Sequence, residues 1–300
     1  PADLDNDGDM DYVLGNMGNN IDYSPSPNQP LELFYGDFAG NGRLKPLAIH
    51  YIIDNSGEKK SYPLTYRDDL FRSMPILKKA FGNYEPFSKA HLNDIFSKDV
   101  IGKAKHFRAD IFQSCMLINK GGGKFEMKLL PSQAQFSCIY GVLTTDYDDD
   151  GKLDVLISGN SNSNEVVYGF MDASLGLLLK GDGKGNFAAI SAEKSGLFLH
   201  CATRGIGSLF DNKGQQIVLA VANADSLNIL RNTTQKPTKI IRAIPGDSYA
   251  LITFKNGTRQ KQEFNYGAGY LSQQENAVRI FDAIKAVQIF DSKGKGRNMY

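Results

Sequence analysis

Two nine-residue stretches hold the side chains best suited to chemistry. Asp3, Asp5, Asp7, Asp9 and Asp11 surround Gly8; Asp146, Asp148, Asp150 and Asp154 surround Gly151, with Lys152 where the first stretch has Asp9. In both, carboxylates recur at loop positions 1, 3, 5 and 9, and the glycine at position 6 permits the sharp turn that lets them converge. Four or five negative charges held ~5 Å apart repel by several kcal/mol even at an effective dielectric of about 20. A hard divalent cation removes that conflict, and all-oxygen ligation by a flexible loop suits Ca²⁺ better than Mg²⁺. The chemistry expected is therefore ion binding at two sites. Position 7 (Asp9, Lys152) normally offers only its main-chain carbonyl, so a lysine is acceptable there.

An EF-hand opens with the same aspartates, but it needs a bidentate Glu at position 12 and a helix on each side. Position 12 is Leu14 in one stretch and Ile157 in the other. The residues that follow, Tyr12-Val13-Leu14-Gly15-Asn16 and Val155-Leu156-Ile157-Ser158-Gly159-Asn160, are short β-branched or aromatic runs ending at Gly-Asn, the pattern of a buried strand and a turn. Gly141–Thr145 reads as a strand before the second loop. Asp11 and Asp154 then supply the carboxylate that the absent Glu would have given. Asp/Gly-rich runs are often only solvated turns. Two copies sharing the ninth-position aspartate and the downstream strand favour ion binding instead.

The elements around these loops repeat. Gly151 and Gly214 lie 63 residues apart, and Phe125 and Phe187 lie 62 apart in matching glycine-rich hairpins, Leu117–Phe125 and Leu179–Phe187. A unit of about 60 residues with four short strands fits a propeller blade better than a solenoid coil. Two degenerate loops, Asp37–Gly42 and Leu209–Gly214, keep the glycine but lack the carboxylates for Ca²⁺. Residues 67–110 switch to helical spacing, with Leu70, Phe71, Met74 and Leu77 recurring at three to four and Asp68 and Asp69 near the start. A second helix is expected near His91–Phe96 and a third near 98–107, so this segment reads as an insertion in one blade. Removing its 44 residues from the 109 between Gly42 and Gly151 leaves 65, near the period, whereas the 34 from Gly8 to Gly42 stay too short. Thr233–Pro237 looks like a linker, and 233–300 like a small β unit or ring-closing element.

Composition sets the outer limits. The 300 residues, 41% hydrophobic, are enough for a sizeable core. Thirty glycines beside 14 Tyr and 18 Phe favour short strands and tight turns. A net charge of +1 leaves no global field to recruit nucleic acid. No apolar run approaches the roughly 20 residues that span a bilayer. Cys115, Cys138 and Cys201 have no zinc spacing and are expected to be buried free thiols.

Taken together, DLDNDGDMDYVLGN, DYDDDGKLDVLISGN and the KGxGxF hairpins resemble the FG-GAP/VCBS-repeat β-propeller proteins over roughly residues 1–232. Tyr266–Gln274 is similar to the GSGYLSQ signature of the ASPIC/UnbV module, and the helical insertion with Lys60–Leu64 before it is similar to VCBS-repeat proteins of Bacteroidetes. The resemblance implies an all-β, Ca²⁺-stabilised, seven-bladed propeller, exported to the periplasm or exterior and usually surface-attached. It implies metal ligation by Asp3, Asp5, Asp7, Asp9 and Asp11, and by Asp146, Asp148, Asp150, Lys152 and Asp154. Because Asp3 opens a loop with no strand before it, the chain is expected to be a fragment of a longer one, and ring closure within it is in doubt.

Catalytic signatures are missing. There is no GxSxG, HExxH or Walker A pattern, and His50, His91, His106 and His200 are scattered. The expectation is a non-enzymatic, monomeric binding module for a protein or glycan, with no nucleic-acid or membrane-spanning role. Tyr23, Tyr35, Tyr168 and Phe170 are candidates to line its surface. The competing expectation is a glycan-active hydrolase or lyase built on a propeller, since propellers host such enzymes.

Overall fold

Val155 and Ile157 face one side of their strand and Leu156 the other, and this alternation organises the larger part of the chain. The computed structural model describes residues 1–300 apart from Tyr23, Asn55, Glu165, Val167 and Tyr168. At 40% strand and 12% helix in several antiparallel sheets, it is of the all-β class. Among the described residues no closed propeller forms. The chain divides into two compact units, residues 1–20 with 113–300, and Ile21–Phe112.

Three repeat sheets and two C-terminal ones build the first unit. In the first, Tyr12–Leu14, Cys115–Asn119 and Phe125–Leu129 pair antiparallel, with Tyr12 opposite Leu117 and Leu117 opposite Met127. Ala2 bridges to Asp11 across the first acidic loop, marking the place of an additional strand. The second sheet is a four-stranded meander of Ile139–Thr145, Asp154–Gly159, Leu177–Gly181 and Phe187–Ile190. The third comprises Thr203–Phe210, Gln216–Ala222 and Asn228–Arg231. The sheets stack through apolar faces. Val13, Met116 and Ile118 of the first meet Val155, Ile157 and Leu179 of the second. Leu143 and Leu156 on the second sheet's other face meet Ile206, Val218 and Ala220 of the third.

Residues beyond 233 form a two-stranded ladder (Ile240–Arg242 with Ala277–Arg279) and a four-stranded sheet ordered Arg259–Glu263, Asp247–Phe254, Ile284–Asp291, Gly296–Asn298. Their core of Ile241, Ile252, Phe254, Val278, Val287 and Ile289 is separate from the repeat cores.

The second unit explains the irregular spacing. It enters the chain between Leu14 and Cys115, two strands paired in the same sheet. Its own sheet runs Lys59–Pro63, Lys45–Ile53, Leu31–Gly36, Lys105–Ala109. The helices expected from 67 onward are present, from Arg67–Ser73 to Lys98–Lys103. Leu70, Phe71, Met74 and Leu77 are all buried, packing with Phe34, Leu47 and Ile49 of the sheet. Two corrections follow. The expected helix at 98–107 ends at Lys103, because Lys105–Ala109 is taken up as an edge strand against Leu31–Tyr35. His106 therefore lies on a strand, stacked on Phe34 at 4.4 Å and 2.9 Å from Glu32. The interruption is also a mixed unit spanning Ile21–Phe112 rather than helices alone, so the Asp37 loop belongs to it and not to the repeat series.

All three cysteines are buried free thiols. No described helix is long and apolar enough to cross a membrane.

Candidate metal centre

Strands, not helices, flank both acidic loops: the second joins Ile139–Thr145 to Asp154–Gly159, and the first leads from the Ala2 bridge into Tyr12–Leu14. The EF-hand alternative is thereby excluded. The two loops share a backbone conformation position by position. Asn6 and Asp149 at position 4 take φ of 60° and 61°, and the position 6 glycines Gly8 and Gly151 take 93° and 82°. A Cβ-bearing residue is strained at such angles.

Hydrogen bonds hold this turn. The position 5 amide donates to the position 1 carboxylate, Asp7 N to Asp3 Oδ1 and Asp150 N to Asp146 Oδ1, both 3.1 Å. The position 7 amide donates to the position 5 carboxylate, at 2.8 Å for Asp9 to Asp7 and 3.0 Å for Lys152 to Asp150. At position 9, Asp11 accepts from Leu4 N at 2.8 Å and Asn119 N at 2.7 Å. Asp154 likewise accepts from Tyr147 N at 3.0 Å and Gly181 N at 2.9 Å. Each ninth-position aspartate thus ties its loop to the neighbouring hairpin.

The degenerate Asp37 loop is an internal control. Gly40 and Gly42 take the same positive φ, and Asn41 N and Arg43 N make the equivalent bonds to Asp37 and Asn41, each 3.1 Å. The same turn thus forms in a loop that lacks the position 3 carboxylate. Position 3 distinguishes the loops: it is Ala39 in the control, but Asp5 and Asp148 in the acidic pair. Neither carboxylate takes part in the turn scaffold, and each buries one oxygen, Oδ1, without a hydrogen-bond partner. An unsatisfied buried carboxylate oxygen is costly.

Carboxylate oxygens also converge in both loops. One from each of Asp3, Asp5 and Asp7 lie within 4.8 Å of one another, and so do those of Asp146, Asp148 and Asp154. Ca²⁺–O bonds of 2.3–2.6 Å put opposite ligands about 5 Å apart, so both clusters have the dimensions for such an ion. Either cluster could hold a metal ion. The other expected ligands are placed differently. Asp9 is exposed, Asp11 lies outside the first cluster although it is buried and held by two amides just as Asp154 is, and Asp150 and Lys152 pair with each other at 3.4 Å.

Burial raises the carboxyl pKa values and neighbouring charge adds to the effect. Asp3 is pushed up to about 6 by desolvation, with Asp7 and Asp11 adding to it, against hydrogen bonds from Lys261 and Gly8 amides. Asp146 is pushed to about 7 and Asp154 to about 6 for the same leading reason, and Asp11 is raised too. Asp37, half-buried and holding the amides of Gly42 and Asn41, is lowered instead. The acidic pair is therefore electrostatically loaded in a way the control loop is not.

Sequence reasoning missed the basic and C-terminal partners. Lys180 contacts Asp148 and lies 3.3 Å from Asp150. Its register counterpart in the first sheet is the buried Ile118, and aligning the hairpins on Asn119 and Gly181 exposes that difference. Lys120 approaches Asp5 at 3.6 Å. Lys261 N donates to Asp3 Oδ2 at 2.9 Å, and Gln260 Nε2 to Asn6 Oδ1 at 2.9 Å. Buried Arg279 reaches Asp149 and the carbonyls of Gly214 and Lys236. Between them the four-stranded C-terminal sheet (Gln260, Lys261) and the two-stranded ladder (Arg279) thus contact all three repeat loops, an arrangement with no local sequence signature. Of the candidate surface aromatics, Tyr35 and Phe170 are exposed, whereas Tyr23 and Tyr168 lie outside the described residues.

No family model, curated protein or solved structure matches the chain.

Proposed function

We propose that this chain is a Ca²⁺-stabilised β-repeat binding module of the FG-GAP/VCBS type, with its repeat sheets arranged as blades of a propeller. It is non-enzymatic, works outside the cytoplasm, and recognises a protein or glycan at the cell surface. The observation that carries this reading is the pair of position 3 aspartates. Asp5 and Asp148 each have a buried, unpartnered oxygen and each belong to a cluster of like charges, at the same position of their loops. The sheets stacked face to face at a 62–63 residue spacing support the blade assignment. Oxygen-only donors on flexible loops favour Ca²⁺ over softer metals. When bound, the ion supplies structural charge neutralisation, with Asp3, Asp5 and Asp7 holding it in one loop and Asp146, Asp148 and Asp154 in the other. Asp11 and Asp154 tie each loop to its hairpin, so ion binding stiffens the connection between adjacent strands.

Titration calorimetry of chelator-treated protein tests the metal assignment. The expected result is two Ca²⁺ ions per chain, with Mg²⁺ much weaker; no heat, or a preference for Mg²⁺, refutes it. Incubation with a polysaccharide panel tests the binding role. Retarded migration without new reducing ends is expected, and release of reducing ends would establish a hydrolase or lyase instead.

A further inference from the structure

A cleft of about 380 Å³ lies beside the second acidic loop, within the first unit. The turns at 150–152, 182–184 and 254–258 bound it, together with Asn6. Glycines let these walls close. A Cβ on Gly183 would come within 3.0 Å of Asn6 Nδ2 and 3.2 Å of the Lys152 side chain, and one on Gly151 within 3.2 Å of the Phe254 ring. Asn6 Nδ2 also donates to Gly183 O at 3.4 Å, joining the first loop to the hairpin of the second sheet. The volume falls in the range of small-ligand sites, roughly 300–1,000 Å³.

The polar groups around the cleft are unevenly committed. Its carboxylates are spent. Asp182 accepts from Lys184 N at 2.8 Å, from Asn186 N at 3.1 Å and from Asn186 Nδ2 at 2.8 Å. Asp150 accepts from Lys152 N at 3.0 Å and lies 3.4 and 3.3 Å from the Lys152 and Lys180 ammonium groups. The side-chain amide oxygens are spent too, Asn6 Oδ1 on Gln260 and Asn256 Oδ1 on the amide and hydroxyl of Thr258. Donors are left over. Lys184 and Lys255 are exposed with no ion-pair partner among the described residues, and Asn256 Nδ2 takes no part in the bonds of its turn. An ammonium and an amide NH₂ can only donate. Two such charges and an amide donor, with no free acceptor beside them, select an anionic ligand rich in acceptor oxygens.

We propose that this cleft binds the acid group of an anionic sugar unit, a uronate or a sulfated sugar, within a glycan. Lys184 and Lys255 supply the charge from two different turns, and Asn256 supplies a neutral donor for a sugar oxygen. An acidic peptide fits less well, because it docks along a groove or an open strand edge, whereas the polar walls here are turns. The proposal names the ligand class of the binding module and rests on that reading, not on the metal assignment.

Titration calorimetry of the full 300-residue chain tests it, with tetragalacturonate, a sulfated carrageenan tetrasaccharide, neutral maltotetraose and tetraglutamate as probes. At least one of the two acidic sugars should bind, the first marking a carboxylate ligand and the second a sulfate, with affinity that falls as salt rises. Lys184→Gln and Lys255→Gln should each weaken that binding about tenfold, the loss of one charge-assisted hydrogen bond. Both side chains are exposed, so melting of the variants should match the wild type. Lys293→Gln, which removes the same charge from an exposed turn outside the cleft, should leave the affinity unchanged. The proposal is overturned if neither acidic sugar binds, if Lys293→Gln weakens binding as much as the cleft variants, or if tetraglutamate binds as tightly as the sugars. Maltotetraose binding as tightly would also overturn it, while leaving a glycan-binding module standing. Reducing ends released in the same mixtures count against the non-enzymatic reading alone, because the cleft variants report binding separately.

Discussion

Replacing Asp148 by alanine copies the control loop, which has Ala39 at that position. The scaffold bonds from Asp150 N and Gly151 N to Asp146, at 3.1 and 2.8 Å, do not involve Asp148, so the turn should persist. Two opposite effects follow. In chelator, the variant loses a like charge beside Asp154 and an orphaned buried oxygen, while Lys180 keeps Asp150. Its stability should equal or exceed the wild type's. In ~1 mM Ca²⁺, a site with Kd of ~10⁻⁵–10⁻⁴ M contributes roughly 1.4–2.7 kcal/mol by mass action. The variant forfeits that share, which for a protein of this size is a fall of about 3–10 °C in Tm. Differential scanning calorimetry with and without Ca²⁺ should thus show the sign of the mutational effect reverse between conditions. An equal loss of stability in both would mean that Asp148 serves packing or its lysine contact, and the metal argument at this loop would fail.

Three further outcomes can be checked. Asp3, Asp146 and Asp154 have folded-state pKa values of about 6, 7 and 6, above the ordinary value of 3.8, so the folded chain holds more protons than the unfolded one between those limits. Stability in chelator should therefore fall as pH rises from about 4 to 7, and urea midpoints that rise over that window would refute the charge-loading account; with Ca²⁺ present the loss should be suppressed. Lys180→Ile, which installs the counterpart residue Ile118, should tighten Ca²⁺ binding at the second loop on the order of tenfold, or about 1.4 kcal/mol, leaving the first unchanged by calorimetry. Asp211→Ala should leave the stoichiometry of Ca²⁺ binding at two, since Asp211 Oδ1 is occupied by the amides of Lys213 and Gln215 at 2.8 and 2.9 Å.

What was legible in the sequence depended on whether the information was local. The loop turn is written in adjacent residues, so positions 1, 5 and 6 announce it, and the strands after it follow from Tyr12–Leu14 and Val155–Gly159. The buried spacing of Leu70, Phe71, Met74 and Leu77 was legible for the same reason. The extent of the inserted unit was not. Its strands Leu31–Gly36 and Lys105–Ala109 pair across some seventy residues, and only that pairing shows that the helices complete a sheet rather than interrupt a repeat. The control loop at Asp37 added to the confusion, because a shared turn conformation says nothing about which sheet the turn serves.

The same distinction between local turn and distant partner decides what holds the ligands in place. Asp3 is positioned from within by Asp7 N and from outside by Lys261 N, 258 residues away in sequence. Arg279 does the equivalent service for the second loop through Asp149 and for the third through the Gly214 carbonyl. Its side chain is buried, and removing one partner of a buried charged pair costs about 3–5 kcal/mol. Arg279→Met should therefore loosen the Ile240–Arg242/Ala277–Arg279 ladder from the loops. Limited proteolysis reads this as faster cleavage within residues 233–237, where Gln235 is buried and Lys236 O accepts from Arg279, together with weaker Ca²⁺ binding at the second loop. Unchanged cleavage with intact Ca²⁺ affinity would show that the loops are shaped by their own residues alone, as the Asp37 loop is.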